Sequence, residues 1–225
     1  MPDDSTSEWE ALLSSAARLQ TILPEAVMVG GTAAATYAHH RVSFDHDHTM
    51  DDLKLRFDDV LFALESVAGW KTARVRRPVL ILGSLDGIET GVRQLIRAEP
   101  LETCKIEING AAITVPTQAE MLRIKAVLIL KRNATRDYLD FVALADILGD
   151  AATVAALSRF DELYPQPNGE SPLMQLAKQL ANPLPFDIDG TDLKEYKCLV
   201  PKYQDWTGVM AICQHIAVDV IQPML

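Results

Sequence analysis

The pattern of apolar and polar positions predicts alternating helices and strands in the first part of the chain. Ser7 and Glu10 have capping-box spacing, and apolar residues recur after them at helical intervals, so a helix is expected to open the fold. The short apolar run 26–29 ends in two glycines and predicts a buried strand. A helix of small residues is expected from Thr32 to about His39.

The next segment alternates in the manner of a strand. Residues 41–48 follow a period of two, which is typical of a strand with one buried face. Thr49 and Asp52 then form a second capping-box pattern. It precedes an amphipathic run from Leu53, and this predicted helix ends near Gly69.

The middle of the chain reads as a β-meander. Strand-like runs separated by turn residues occupy 71–115, and Asn109-Gly110 is the strongest two-residue hairpin signal among them. Thr117 and Glu120 give a third capping box before a helix that runs to Arg132. A further helix is expected at about 135–148.

These patterns predict an α+β fold with a mixed β-sheet flanked by helices, followed by a helical C-terminal region. The predicted α/β domain is 1–116, and the predicted helical region is 117–225. Within that region, 150–225 is Pro-punctuated and reads as a helical appendage without an assigned role.

Composition narrows the class of protein. With 225 residues and 48% hydrophobic residues, the chain can bury one core, or one core plus a small appendage. No apolar run reaches the roughly 18 residues that span a bilayer, and the N-terminus is acidic where a secretory signal is basic. Its three cysteines include no CxxC pair. A cytoplasmic protein without a membrane partner is expected.

Charge is distributed unevenly along the chain. The net charge of −10 argues against indiscriminate coating of nucleic acid. Between Lys71 and Arg136, however, basic residues outnumber acidic ones, 12 against 6. This predicts a basic surface that faces an anionic partner, although an uneven solvated surface has the same signature.

Two short motifs near the N-terminus have chemical potential. Gly30 and Gly31, followed by Thr32, stand between a strand and a helix, where backbone N–H groups can bind a phosphate, or where the glycines only form a tight turn. Asp45 and Asp47 point to one face of their predicted strand, about 6.6 Å apart along it. Such a pair suits Mg²⁺, and the simpler alternative is a solvated acidic strand.

The histidines near these aspartates suggest a different metal. Four of the five histidines, His39, His40, His46 and His48, lie within ten residues. Strand alternation nevertheless directs His46 and His48 away from the aspartates. A metal-dependent hydrolase that uses this His/Asp segment therefore stays as an alternative.

The predicted helices contribute further candidates. Lys125 could hold a triphosphate as a point charge, or be an ordinary surface lysine. Asp137 and Asp140 share one helix face, where acidic residues also complement the helix dipole. Arg136 precedes them and could be plainly solvent-facing.

Three segments, in this order, carry a family resemblance. The segment "VGGTAAATYAHHRVSFDHD" resembles the first motif of the AbiEii/AbiGii-type nucleotidyltransferase toxins, which are relatives of the MenT-type toxins. The segments "EMLRIK", at 120–125, and "RDYLD", at 136–140, are similar to two later motifs of the family. The resemblance covers about 25–148, and the C-terminal third has no counterpart.

The resemblance implies a nucleotidyltransferase-like fold and transfer of a nucleoside monophosphate from an NTP to an acceptor hydroxyl. It implies an RNA acceptor, transfer RNA in particular, and a role as a toxin with a separate antitoxin protein. Asp45 and Asp47 would hold Mg²⁺, and a third carboxylate is expected in a later strand, where Glu89 is the only acid. The implied nucleotide-binding and orienting residues are Gly30, Gly31, Thr32, Lys125, Arg136, Asp137 and Asp140. A catalytically silent protein-interaction module with the same fold is the remaining alternative.

Overall fold

The computed structural model describes residues 3–108 and 110–225 and has the predicted α+β architecture, a mixed sheet flanked by helices. The chain forms two compact units. The first comprises Met1–Ala33 and Ser43–Thr117, and the second comprises Ala34–Val42 and Gln118–Leu225. The division at 116/117 into functional domains stays a prediction.

The first unit contains the sheets. Its elements are α1 (Asp3–Ile22), β1 (Val27–Val29), the start of α2 (Gly30–Ala38), β2 (Asp45–Met50), α3 (Phe57–Glu65), β3 (Trp70–Arg76), β4 (Leu80–Leu85), β5 (Ile88–Gln94), β6 (Thr103–Ile108) and β7 (Ala111–Pro116). The five-stranded sheet has the order β1-β2-β5-β4-β3. Its β2–β5 pair is parallel and its other pairs are antiparallel. Strands β6 and β7 form a separate antiparallel pair.

The core of this unit lies on one face of the five-stranded sheet. Alternation along β4 buries Ile81 and Leu85, and α1 and α3 contribute apolar residues such as Leu19 and Val60 to the same cluster. Each fully buried aliphatic side chain contributes about 1.5–3 kcal/mol relative to exposure. This packing assigns the two faces of β2 different environments, which matters for Asp45 and Asp47.

The second unit is helical, as predicted. Its helices are α4 (Gln118–Arg132), α5 (Thr135–Leu148), α6 (Asp150–Leu157), α7 (Phe160–Leu163), α8 (Pro172–Ala181) and α9 (Trp206–His215), with a π-helical segment at Ile216–Ile221. Tyr138, Phe141 and Phe160 are among its largest fully buried side chains. Short 3-10 turns connect α8 to α9.

Within residues 3–108 and 110–225, no single helix is long and apolar enough to cross a bilayer. The segments Thr135–Leu148 and Asp150–Leu163 reach that length and composition only when taken together across a bend of 117°.

Several predicted boundaries are wrong, and at Thr49 long-range pairing overrides the local signal. Ser7 lies inside α1 and does not cap it. Thr49 lies inside β2, where its hydroxyl donates to the carbonyl of Arg93, so α3 begins only at Phe57. Residues 41–44 are not part of a strand.

Strands β6 and β7 pair as the hairpin signal predicts. Ile108 pairs with Ala111, so a two-residue connection joins β6 to β7. Gly110 has a φ of 79°, a left-handed backbone conformation that favours glycine. Asn109 lies outside the described residues.

Candidate active site

Asp45 and Asp47 project from the same face of β2, as the alternation predicts. Both are half-buried, whereas His46 and His48 between and after them are fully buried, so the strand separates two environments. In the parallel pairing with β5, Asp45 lies beside Glu89 and Asp47 lies beside Gly91. The carboxylates therefore face away from the α1/α3 core.

Two hydroxyl groups fix the geometry around Asp45. The buried Thr32 hydroxyl donates to the backbone carbonyl of Asp45, which ties the first turn of α2 to β2. The Ser43 hydroxyl donates to Oδ1 of Asp45 over 2.7 Å. Thr32 therefore positions the strand, and Ser43 orients the carboxylate.

Two glycines lie in van der Waals range of the Asp47 side chain. A Cβ atom at Gly30 would be 3.4 Å from Cβ of Asp47, and one at Gly91 would be 3.5 Å from its Oδ1. Gly30 also has a φ of 83°, which a residue with a side chain rarely adopts. Because Gly30 is the first residue of α2, Asp47 lies beside a helix N-terminus, whose first backbone N–H groups have no partner within the helix.

Two charged residues on β5 complete the surroundings of this pair. Nε of Arg93 is 3.4 Å from Oδ1 of Asp47, whose side chain is 30% exposed. Glu89 is exposed, and its expected function as a third metal ligand stays a prediction. Among residues 3–108 and 110–225, no three His, Cys, Asp or Glu side chains form a group that could hold a metal ion.

The donor chemistry nevertheless fits a hard cation of the Mg²⁺ type. Mg²⁺ prefers oxygen ligands, keeps several waters and is commonly bound by one or two carboxylates together with substrate phosphates. Asp45 and Asp47 supply two such carboxylates on one face, and Gly30, beside Asp47, has no side chain of its own. Asp45 and Asp47 are therefore the residues that would hold the ion.

His46 and His48 belong to the buried face of β2. One ring nitrogen of His46 lies 3.0 Å from Oγ of Ser15, and the other lies 2.9 Å from Oγ1 of Thr90. Burial lowers the pKa of His46 to about 4, although nearby Asp45 acts in the opposite direction. Burial, and secondarily His46, lowers the pKa of His48 well below its ordinary value.

This placement bears on a metal site made of histidine and aspartate together. The rings of His46 and His48 contact each other edge to face, with centroids 5.3 Å apart. Asp45 and Asp47 project from the other side of the strand, so the histidines and aspartates cannot share one ion. The prediction that the side chains of His46 and His48 face away from Asp45 and Asp47 is confirmed. The hydrolase that uses the His/Asp segment stays an untested alternative, without a His/Asp metal group among residues 3–108 and 110–225.

The second unit contains a buried charge network centred on Asp140. Its carboxylate, 0% exposed, accepts hydrogen bonds from Nε of Arg41 at 2.8 Å and from Nε2 of His40 at 2.7 Å. Nζ of Lys125, which is 1% exposed, lies 2.7 Å from its Oδ2. Burial would raise the pKa of Asp140, but Arg41, Lys125 and His40 together hold it well below its usual range.

Asp137 belongs to the same network. It is fully buried, and its carboxylate accepts hydrogen bonds from Arg132, one of them over 2.7 Å. Nζ of Lys125 lies 3.8 Å from its Oδ1. Arg136, directly before Asp137 in sequence, is exposed. Lys125, Asp137 and Asp140 are thus brought together, as an ion network inside the second unit.

Arg41 and Ser43 were not identified as site residues from the sequence, and His40 was considered only as a member of the histidine group. Ser43 has a local signal, a hydroxyl two residues before an aspartate. The pairing of Arg41 with Asp140 joins positions 99 residues apart, and no local pattern predicts it. The Arg41 guanidinium also lies 5.9 Å from the ring centroid of Tyr196, in the region without an assigned role.

Comparison with solved structures identifies the fold. The chain is similar to JHP933 of Helicobacter pylori, with a TM-score of 0.58 and 13% identity over 100% of this chain and 94% of that one. A candidate nucleotidyltransferase of H. pylori gives a TM-score of 0.57 and 13% identity, covering 100% and 97%. ANT(2″)-Ia, solved with adenylyl-2″-tobramycin, gives 0.51 and 11% identity, covering 68% and 97%. The chain therefore has a nucleotidyltransferase fold.

Sequence comparison leads to a different group of proteins. The chain is 26% identical over 234 residues to the mycolic acid-containing lipids exporter MmpL11 of Mycolicibacterium smegmatis, covering 97% of this chain and 22% of that protein. It is 26% identical over 252 residues to the heme uptake protein MmpL11 of Mycobacterium tuberculosis, covering 99% and 24%. The chain spans less than a quarter of the length of these relatives. No protein-family model matches it.

Proposed function

We propose that this protein is a Mg²⁺-dependent nucleotidyltransferase that transfers a nucleoside monophosphate from an NTP to a hydroxyl of RNA. The observation that carries the proposal is the placement of Asp45 and Asp47 on one face of β2, beside Gly30 at the N-terminus of α2. The nucleotidyltransferase fold supports the reaction class.

The chain's own groups have distinct roles in this reaction. Backbone N–H groups of Gly30, Gly31 and Thr32, at the start of α2, bind the phosphates of the NTP. Asp45 and Asp47 would hold the cation, and Ser43 orients Asp45. The ion would supply charge stabilisation for the attacking and leaving oxygens of an in-line displacement.

The remaining roles rest on the motif resemblance. Lys125 and Arg136 are proposed to neutralise the nucleotide's charge, Asp137 to orient the base or acceptor, and Asp140 to bind the nucleotide through its network. Glu89 is proposed as an additional metal ligand. A toxin role with a separate antitoxin, a transfer RNA acceptor and a cytoplasmic location belong to the same proposal.

The direct test is incorporation of label. Wild type, Asp47→Asn and a control, Asp59→Asn, are incubated with each labelled NTP, Mg²⁺ and total RNA. Asp59 is an exposed acid in the first turn of α3, so the control removes the same charge from another surface. Asp47→Asn should remove several kcal/mol of charge stabilisation from the transition state. Because about 1.36 kcal/mol of activation free energy corresponds to a tenfold change in rate, its transfer rate should fall by orders of magnitude. Asp59→Asn should retain it.

Nucleotide binding provides a second readout. Mg²⁺ with NTP at about 100 times its Kd should stabilise wild type by about 2.7 kcal/mol, and Asp47→Asn far less. The toxin role predicts growth arrest when wild type, but not Asp47→Asn, is expressed in bacterial cells. Full transfer by Asp47→Asn would exclude the proposed metal-holding role of this carboxylate.

A catalytically silent interaction module is the second candidate. It is favoured by Arg93, whose Nε lies 3.4 Å from Asp47 and already neutralises part of its charge. This candidate predicts that wild type shows neither transfer nor stabilisation by Mg²⁺ with NTP. Arg93→Gln distinguishes the two candidates. In an enzyme, it removes a cation from beside Asp47 and should increase the stabilisation by Mg²⁺ with NTP. A silent module should show no such stabilisation with or without the substitution.

A further inference from the structure

The face of the sheet that presents Asp45 and Asp47 continues to the far edge strand. Residues paired directly across neighbouring strands point to the same face. Asp47 pairs with Gly91, Gly91 with Leu82, and Leu82 with Arg74. The carboxylates on β2 and Arg74 on β3 therefore share one face of the first unit.

A β-bulge brings three cations of β3 to that face. Lys71 pairs with Ser84 and Arg76 pairs with Leu80, both on the carboxylate face. In a regular strand, residues three apart point to opposite faces, so Lys71 and Arg74 would be separated. The register shift between Thr72 and Arg74 inserts one extra residue and restores Arg74 and Arg76 to the face of Lys71.

These cations are available for binding. Lys71, Arg74 and Arg76 are all exposed on the edge strand. Within residues 3–108 and 110–225, no ion pair or side-chain hydrogen bond involves any of them. Arg97, also in the basic middle of the sequence, differs because its guanidinium donates to the carbonyls of Glu99 and Pro100.

The cations on β3 and the carboxylates on β2 lie at opposite sides of this face. Adjacent strands lie about 4.8 Å apart, so β3 is about 14 Å from β2 across β5 and β4. Half-buried Leu80 and Leu82 lie between the cations and the carboxylates. A polynucleotide held by its phosphates over β3 would meet carboxylate repulsion at β2, except at its end, where the terminal hydroxyl has no further phosphate.

We infer that Lys71, Arg74 and Arg76 form a binding strip for the phosphates of a single-stranded RNA end, whose terminal hydroxyl is directed across Leu80 and Leu82 toward Asp45 and Asp47. The inference rests on the proposed function for the identity of the acceptor. It adds the surface that selects this acceptor, and it places an end of the strand, not its middle, at the carboxylates.

The test compares two variants that remove the same charge. Arg74→Gln/Arg76→Gln loses two cations of the strip. Lys54→Gln/Lys178→Gln loses two exposed lysines, one in the turn before α3 and one on α8. Binding of a short fluorescein-labelled single-stranded RNA with a free 3′ hydroxyl is measured by anisotropy from about 50 to about 200 mM KCl.

Each phosphate contact contributes about 0.7 to the slope of log K against log salt for a single strand, so the strip variant should lose about 1.4 in slope. Its affinity at low salt should fall about tenfold or more, and the lysine control should follow wild type. Asp45→Asn/Asp47→Asn should still bind RNA, because it removes only negative charge from the face.

The outcomes separate this inference from the proposed function. Loss of RNA binding in Arg74→Gln/Arg76→Gln, with no transfer by any protein, supports the strip and contradicts the transferase. Transfer by wild type, with equal RNA slopes for the strip variant and the lysine control, overturns the strip alone. Loss of binding to anionic vesicles but not to RNA also overturns it, in favour of a membrane surface.

Discussion

The hydroxyl of Ser43 donates a hydrogen bond to Oδ1 of Asp45 over 2.7 Å, and both residues precede the central part of β2. Ser43 is buried, so solvent competes little for this bond. Removing a hydrogen bond to a charged group costs about 1.5–3 kcal/mol, a factor of ten to a hundred if the bond matters for the reaction. The bond connects a residue outside the recognised Asp-x-Asp pattern to its first carboxylate.

Ser43→Ala is therefore expected to lower the transfer rate by about ten- to a hundredfold. Ser43→Thr keeps the hydroxyl and should recover most of that loss. Initial rates at saturating NTP, together with urea unfolding of each variant, separate a loss of orientation from a loss of folding. A full rate in Ser43→Ala would show that the strand alone positions Asp45.

Gly91 packs against Leu82 and Ile81 of the neighbouring strand β4, where there is no room for a side chain. A Cβ atom at this position would be 2.5 Å from Cδ2 of Leu82 and 3.2 Å from the carbonyl of Ile81. Overpacking of this kind typically costs about 1–3 kcal/mol. We expect Gly91→Ala to lower the free energy of unfolding by this amount, as measured in urea.

A double-mutant cycle tests the cause. In Leu82→Ala, the atom nearest to the new Cβ is absent, so Gly91→Ala should cost clearly less than in wild type. Additive effects would mean that the clash with the Ile81 carbonyl, and not with Leu82, determines the cost. Gly87→Ala is unsuitable as a control, since Gly87 has a φ of 85°.

The sequence predicts the elements of this fold better than their connections. Alternation identifies β6 because its side chains are alternately exposed and half-buried. Thr49 shows the limit, since its local capping signal loses to the ladder that pairs it with Arg93. Pairings between distant segments, including the β2–β5 contact that carries the candidate site, have no local signature.

Some residues of the candidate site can likewise be predicted from the sequence, and others cannot. Asp45 and Asp47 are recognisable because alternation alone gives them one face. The burial of Lys125 is not predictable from its neighbours in sequence, because it depends on Asp140 and on Arg41 from a distant segment. The bulge that turns Arg74 toward the face of Lys71 likewise becomes visible only in the register of β3 with β4.

The buried network makes Lys125 a stability residue in addition to any role with nucleotide. Lys125→Met would leave Asp140 with one cation fewer in a site without solvent, and breaking such a pair costs about 3–5 kcal/mol. We expect a strongly lowered urea midpoint without nucleotide. Lys131→Met, on the exposed last turn of the same helix, is the matched control and should change stability little.

Asp140→Asn completes this test. It should also destabilise, and the double variant with Lys125→Met should cost less than the two single changes together, because the same interaction is removed once. If Lys125→Met instead has the same urea midpoint as wild type, and only its NTP binding is weaker, Lys125 serves mainly as a phosphate ligand.

His46 and His48 should respond oppositely to replacement by leucine. The two ring nitrogens of His46 have Ser15 and Thr90 as partners, so His46→Leu removes two hydrogen bonds and should destabilise by about 1–3 kcal/mol. Within residues 3–108 and 110–225, neither ring nitrogen of His48 has a hydrogen-bond partner. An unsatisfied buried polar group costs about 1–3 kcal/mol, so His48→Leu should be neutral or stabilising.

Urea midpoints near neutral pH measure both substitutions, and transfer per folded molecule should be unchanged because the rings face away from Asp45. Equal destabilisation by the two changes would mean that the His48 ring is hydrogen-bonded in solution, by a buried water for example.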